Sequence, residues 1–302
     1  MNPSVSVIVP NFQHAKFLDV RLQSILKQTY QDFELIILAD CSQDDGASRA
    51  IIESYRSDPH VSHIVYNEVN SGSPFKQWRK GLELAKGDYV WIAESDDFCL
   101  PTLLETLHDA CVKNDVILAF CNSIFTNENG TFLGSDNPFD KNVLLQGRDF
   151  IRKHLSDSPA IVNASAVLFK KAIALAINRQ YENLKGSGDR FFWIELAEHG
   201  NIYYENEALN CFRRHDSSVT KHNYSSGNRE IEHHIIYNYL VRNNLLSTSE
   251  AFQIRLKTVD RIEQSTYENS SVKSALLKLW DRYYVSRAIL PFNKVLNRIH
   301  TK

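Results

Sequence analysis

The amino-terminal third of the chain alternates between short apolar runs and segments with one apolar face. Val5-Ser6-Val7-Ile8-Val9 is a run of strand length closed by Pro10, and Pro10-Asn11-Phe12 reads as a turn. Leu18, Leu22, Ile25 and Leu26 then recur at the spacing of one helix face. Phe33–Leu38 predicts a second strand, Ala50, Ile51 and Tyr55 a second helix, and Val61–Tyr66 a third strand. Beyond the loop Asn70-Ser71-Gly72-Ser73-Pro74, the inward positions Phe75, Trp78, Leu82 and Ala85 predict a helix that Gly87 ends. Tyr89-Val90-Trp91-Ile92 is a fourth strand, apolar enough for burial on both faces. Strand–helix alternation repeated in this way implies parallel strands with right-handed crossovers, hence an α/β fold.

The pattern loosens further on. Pro101 opens a helix carrying Leu103, Leu104, Leu107, Ala110 and Cys111. Val116–Cys121 predicts a strand, 126–141 an excursion loop rich in Asn, Asp and Gly, and Ile161–Phe169 another strand. Arg190–Leu196 reads as a helix, and Asn201–Glu205 and Leu209–Arg213 as two short strands. After about residue 220 strand signals vanish and helical spacing takes over (Ile231, Ile235, Tyr239; Phe252, Leu256, Val259; Leu276, Leu279, Tyr283). The expected organisation is an α/β domain over 1–220, with halves of about 1–122 and 123–220, and a helical extension over 221–302.

Composition narrows the setting. The 302 residues are 43% hydrophobic and 23% charged, as in ordinary globular chains. A net charge of -2 implies no bulk attraction to nucleic acid. The five cysteines are scattered without a CxxC pair, which favours neither zinc nor a disulfide framework and fits a reducing, cytoplasmic setting. The start lacks a basic leader with an apolar core, and no apolar run reaches the roughly 20 residues of a spanning helix. From Lys273 on, Lys278, Arg282, Arg287, Lys294, Arg298 and Lys302 face a single acid, Asp281. Three readings of these helices stay open: a cap on the α/β domain, a peripheral contact with the inner face of an anionic membrane, or a homodimer element.

The candidate chemistry gathers where strands end. Glu94-Ser95-Asp96-Asp97 puts three carboxylates in four residues directly after the fourth strand. Crowded carboxylates resist full ionisation, and a divalent cation relieves that. The alternative is an acidic turn capping the next helix. Asp40 follows the second strand, so parallel pairing brings it to the same rim, where open α/β sheets bind ligands. Asp189, preceded by Gly188, stands before a helix and could serve as its cap, as a reacting carboxylate, or as both. Phe191, Phe192 and Trp193 read as core or cleft wall, and His233-His234 lacks partners at metal-ligand spacing.

In this order and spacing, the sequence resembles the family 2 glycosyltransferases. The resemblance runs over roughly 4–220. It rests on Val5–Val9 with Pro10-Asn11, Gln28-Thr29-Tyr30, Asp40-Cys41-Ser42, Lys80-Gly81 to Tyr89, Glu94-Ser95-Asp96-Asp97, Gly188-Asp189 and Arg213-Arg214-His215. It implies a GT-A fold with a nucleotide-sugar half and an acceptor half. The expected reaction is inverting, metal-dependent transfer from a nucleotide-sugar, most naturally a UDP-sugar. The acceptor would be a glycan or lipid-linked saccharide of surface polysaccharide synthesis. By the same resemblance Pro10, Asn11 and Asp40 meet the nucleotide, with Asp40 on the base. Asp97 binds Mn²⁺ or Mg²⁺ and Asp96 the ribose, with Glu94 opening the motif if it is read as Glu-x-Asp. Asp189 is the catalytic base, and Arg213 and His215 face the diphosphate.

One departure stands out. An Arg-Asn pair common in the family is replaced in this chain by Trp78-Arg79, which leaves Lys76 or Arg79 to contact the diphosphate. Two other classes remain in view. A nucleotidyltransferase would need a glycine-rich basic loop after the first strand, which Pro10-Asn11-Phe12-Gln13-His14 is not. The other is a non-catalytic sugar-nucleotide- or glycan-binding scaffold, against which the presence of Asp40, Asp97 and Asp189 together argues.

Overall fold

The computed structural model describes residues 2–215 and 226–280. The chain divides into two compact units, Met1–Leu184 with Gly188–Asp216, and Lys185–Ser187 with Ser217–Lys302. The first contains strands β1 (Val5–Asn11), β2 (Phe33–Ala39), β3 (Val61–Tyr66), β4 (Tyr89–Ile92), β5 (Phe98–Cys99), β6 (Leu118–Thr126), β7 (Phe132–Ser135), β8 (Val143–Leu145), β9 (Val167–Lys170) and β10 (Ile202–Arg213). Its helices are α1 (Ala15–Leu26), α2 (Ala47–Ser54), α3 (Pro74–Leu84), α4 (Leu103–Asn114), α5 (Gly147–Phe150), α6 (Lys171–Ala176) and α7 (Gly188–Ala197).

The strands form one sheet in the order β3-β2-β1-β4-β9-β6-β10-β5, with β7 on β6 and β8 on β10. As the alternation requires, β3, β2, β1 and β4 are parallel. Strand β9 runs antiparallel to both β4 and β6, so β6 keeps the common direction, and β10 follows it. Every residue of β1 and β2 is buried, which is why both read as unbroken apolar runs. Helix α1 seats Leu18, Leu22 and Ile25 in the core that β1, β2 and α4 share. Where α3 ends, the chain passes so close to β1 that a Cβ on Gly87 would lie 2.6 Å from the Ser6 nitrogen, so only glycine fits.

Several boundaries differ from the sequence pattern. Pro10 lies inside β1 rather than closing it. It sits past the last β4 partner of that strand, Ile8, so its missing N–H breaks no ladder on that side. The expected strand Ile161–Phe169 is a 3-10 turn, Ala164–Ala166, followed by β9. The two short strands near the end of the unit are one strand, β10, with register shifts against β6 between Glu205, Ala208 and Asn210. The excursion loop folds β7 back onto β6, and β5 is a two-residue strand that apolar patterning does not mark.

The second unit contains α8 (Asn228–Arg242), α9 (Thr248–Gln264) and α10 (Ser270–Leu279). Ser247 and Glu250 form a capping box that starts α9. Ile231, Ile254, Val259, Ile262, Val272, Leu276 and Trp280 make its core. The backbone N–H groups of Lys185, Gly186 and Ser187 all donate to Glu232. The expected basic, aromatic terminal stretch, with Tyr283, Tyr284 and Arg282 to Lys302, lies outside the described residues.

Candidate active site

Parallel pairing delivers the ends of β1, β2 and β4 to one rim. Asn11 pairs with Ala39, the Asp40 nitrogen donates to the Asn11 carbonyl at 2.8 Å, and Ala93 continues β4 by donating to the Ile8 carbonyl at 2.8 Å. The acidic turn Glu94–Asp97 follows at once. Strand β5 then pairs with β10 (Phe98 with Cys211, Cys99 with Asn210), which carries Arg213 and His215 to the same turn.

The three acids of the turn have separate surroundings. Asp97 is fully buried. One of its oxygens accepts from Asn163 Nδ2 at 2.9 Å and Ser165 Oγ at 2.7 Å, and the other from the Arg213 nitrogen at 3.0 Å. Burial first, and the Asp96 charge second, push its carboxyl up to about 7, while Arg21, Ser165 and the Arg213 N–H pull the other way. Glu94 accepts from Trp78 Nε1 at 2.8 Å. Burial, then the charge of Asp96, raises it to about 8.

Asp96, like Glu94, is only partly buried, and it is the acid that faces the histidines. Its Oδ2 lies 3.0 Å from His215 Nε2 and 4.0 Å from His14 Nε2. Burial opposes its ionisation, but the His215 bond and the two imidazoles outweigh that and hold it below the ordinary aspartate range. Burial favours neutral His14, with Asp96 partly offsetting it. His14, Asp96 and His215 each offer one ligand atom, and these atoms lie within 4.8 Å of one another. Beneath the turn, Arg21 is fully buried with its guanidinium 4.8 Å from the Trp91 ring centre.

The expected nucleotide residues divide. Asp40 is 4% exposed and its carboxylate is crowded with donors. Asn67 Nδ2 (2.6 Å), the Ser71 nitrogen (2.9 Å) and Gln77 Nε2 (3.0 Å) reach one oxygen; Ser71 Oγ (2.6 Å) and Asn70 Nδ2 (3.2 Å) reach the other. Asn11, 1% exposed, has both side-chain polar atoms without a protein partner. Pro10 lies in β1 beside it. Lys76 donates to the Ser71 carbonyl, and Arg79 turns to Glu83 and the Leu175 carbonyl, so neither is brought to the acidic turn. Trp78, where the family often has arginine, is the α3 residue that reaches it.

Arg213 is held by carbonyls: Nε donates to Asp96 O at 2.8 Å and an outer nitrogen to Glu128 O at 2.7 Å, with Phe17 and Phe98 against its planar face. Asp189 sits in the first turn of α7, half-buried, and accepts from the Arg190 nitrogen at 2.7 Å. Helix α7 packs on α3 through Trp78 against Phe192 and Trp193. Three residues went unmarked in the sequence. His14 looked like a loop histidine, and its one signal was its place just after β1 on the carboxyl rim. Asn163 and Ser165 gave no signal, because their partner Asp97 is 66 and 68 residues away.

A mostly parallel open sheet, an acidic turn at its carboxyl rim and a histidine returned to that turn by the last strand define a glycosyltransferase of the GT-A type. Residues 6–173 match the family model for glycosyl transferase family 2, and the chain belongs to that family. It is 26% identical over 234 residues to a putative teichuronic acid biosynthesis glycosyltransferase, TuaG, of Bacillus subtilis, spanning 75% of this chain and 85% of that protein. Structures of S. aureus TarS with UDP-GlcNAc (TM-score 0.60, 18% identical, 93% of this chain and 72% of that one) and of a Pyrobaculum calidifontis mannosyltransferase with GDP-Man and Mn²⁺ (TM-score 0.56, 16% identical, 99% and 79%) share the fold.

Proposed function

We propose that this glycosyltransferase moves a sugar from a nucleotide-sugar, in the first instance a UDP-sugar, to a glycan or lipid-linked saccharide, with inversion and with a divalent cation. The observation that carries the reading is the Asp96–His215 pair, 3.0 Å apart at the carboxyl rim. The TuaG relative and the UDP-GlcNAc complex of TarS support the acceptor class and the donor; the Mn²⁺ complex of the mannosyltransferase supports the cation.

The donor set fits a cation at Asp96 and His215. It does not fit one at Asp97, whose oxygens are taken by protein donors, so in this reading the metal role expected of Asp97 falls to Asp96. Bound there, a divalent ion would neutralise charge on the departing nucleoside diphosphate. Asp97 and Arg213 hold the turn and the strand end in register. Asn11 and the Asp40-centred loop line the nucleotide side. Asp189 takes the proton of the acceptor hydroxyl, and a single base opposite the leaving group gives inversion through an oxocarbenium-like transition state.

The test is a thermal-shift panel of UDP, GDP, CDP and dTDP with and without Mn²⁺, followed by transfer assays with sugars on the nucleotide that binds. Binding at a hundredfold excess over Kd adds about 2.7 kcal/mol to the native state. A metal-dependent shift lost in Asp96→Asn is expected. No shift with any nucleotide from folded protein would overturn the reading.

A further inference from the structure

We infer that His14 is a third protein ligand for the cation, so that two imidazoles and one carboxylate make a transition-metal site rather than an all-oxygen Mg²⁺ site. This rests on the reading that Asp96 and His215 hold the ion.

The chain makes a special turn to present His14. Gln13 adopts φ +59, a left-handed conformation uncommon outside glycine, and its N–H is fixed by Ser42 Oγ at 2.9 Å. His14 then occupies the position before α1, yet its side chain makes no capping bond to that helix. Its Nδ1 instead pairs with the buried Ser95 Oγ at 2.9 Å, inside the acidic turn. A ring so held at one nitrogen presents the other in a fixed direction, as supporting hydrogen bonds do for metal-bound histidines. That second nitrogen, Nε2, faces Asp96 Oδ2, and the His215 ring stands edge-on to it with centroids 5.6 Å apart.

The spacings suit a shared ion. Metal–ligand bonds of about 2.1 Å put neighbouring ligand atoms about 3 Å apart and opposite ones about 4.2 Å apart. The observed separations from Asp96 Oδ2 are 3.0 Å to His215 and 4.0 Å to His14. Packing against Phe17, 6.3 Å between ring centres, is the competing account of His14, but it leaves the Ser95 contact and the ring direction unexplained. Imidazole nitrogens favour transition metals, whereas Mg²⁺ prefers carboxylate, carbonyl and water oxygen. A second imidazole therefore biases the site towards Mn²⁺ and Co²⁺ over Mg²⁺.

The experiment measures metal binding on the full chain, with and without UDP and without acceptor. Mn²⁺ is followed by the electron paramagnetic resonance signal of the free ion, Co²⁺ by its visible absorption, and Mg²⁺ by competition. The variants are His14→Ala, His14→Gln, His215→Ala and Asp96→Asn, each checked for folding by circular dichroism. His14→Ala is expected to weaken Mn²⁺ and Co²⁺ at least tenfold, to change Mg²⁺ little, and to alter the Co²⁺ spectrum. Unchanged Mn²⁺ affinity and Co²⁺ spectrum in both folded His14 variants, with Asp96→Asn and His215→Ala impaired, would overturn the His14 assignment alone. No metal binding by the wild type in either condition would overturn it together with the metal reading of the site.

Discussion

The buried carboxylate of Asp97 accepts the backbone N–H of Arg213 at 3.0 Å, joining residues 116 positions apart. This bond fastens the end of β10 to the acidic turn and so sets His215 against Asp96. The most deeply buried acid of the motif thus holds the turn together, and its partly open neighbour faces the histidines.

The two aspartates should separate in a stability measurement. Asp97→Asn replaces one acceptor oxygen with an NH₂ group, which cannot accept either the Arg213 N–H or, in the other orientation, the donors of Asn163 and Ser165. Urea denaturation should find it destabilised by about 2–3 kcal/mol, the penalty of stranding buried donors beside a lost charge. Asp96→Asn, with its side chain partly open, should cost clearly less than Asp97→Asn while losing metal-dependent nucleotide binding. Equal stabilities would rule out a structural role for Asp97.

Asp189→Asn keeps the shape of the α7 first turn and removes the basic carboxylate. The expected loss is about 10²- to 10⁴-fold in kcat, with the nucleotide thermal shift preserved. Turnover at the wild-type rate would end the assignment of Asp189 as the base.

Glycine at 188 is dictated by space. A Cβ there would lie 2.5 Å from the Phe75 ring and 2.7 Å from the Tyr181 carbonyl oxygen. Gly188→Ala must push the first turn of α7 off α3, costing about 1–3 kcal/mol. Asp189 moves with that turn, so kcat should fall more than KM rises. A variant with normal stability would mean that α3 and α7 give way easily at this contact.

Glu195, buried in α7 with Oε2 lacking a hydrogen bond, is raised to about 8, chiefly by burial. The folded protein keeps this proton where the unfolded chain, at about 4.3, has released it. The folded state then binds more protons, so this group's contribution to stability falls as pH rises from about 4 to 8. Glu195→Gln removes the penalty. Relative to that variant, wild type should lose on the order of 1 kcal/mol or more between pH 5 and pH 8. Parallel stability curves would show that Glu195 is already ionised when folded.

The parallel half of the fold was open to inspection in the residues themselves. β1 to β4 are apolar runs separated by one-faced helices, and parallel pairing alone sends Asp40 and the acidic turn to one rim. What stayed hidden depends on residues that meet only in three dimensions. Asn163 and Ser165 reach Asp97 from a turn that looked like part of a strand, and His14 shows its surroundings only once Ser95 and His215 arrive. The bulges of β10 split its apolar pattern in two, and Pro10 misled because a missing N–H matters only where a partner strand is present. Trp78 stood where arginine was expected, and nothing in one chain foretells that its indole would reach Glu94.

The crowd of donors around Asp40 has a consequence for the rate and heat of binding. Asn67, Asn70 and Ser71 from the segment between β3 and α3, with Gln77 of α3, all donate to one carboxylate before any ligand arrives. Immobilising a loop on association adds an entropy penalty that a pre-tied loop does not incur. Under the proposed function, in which the nucleotide meets Asp40, this side of the site is a rigid socket: association should need no slow loop-closing phase, and affinity differences among nucleotides should reside in their escape rates.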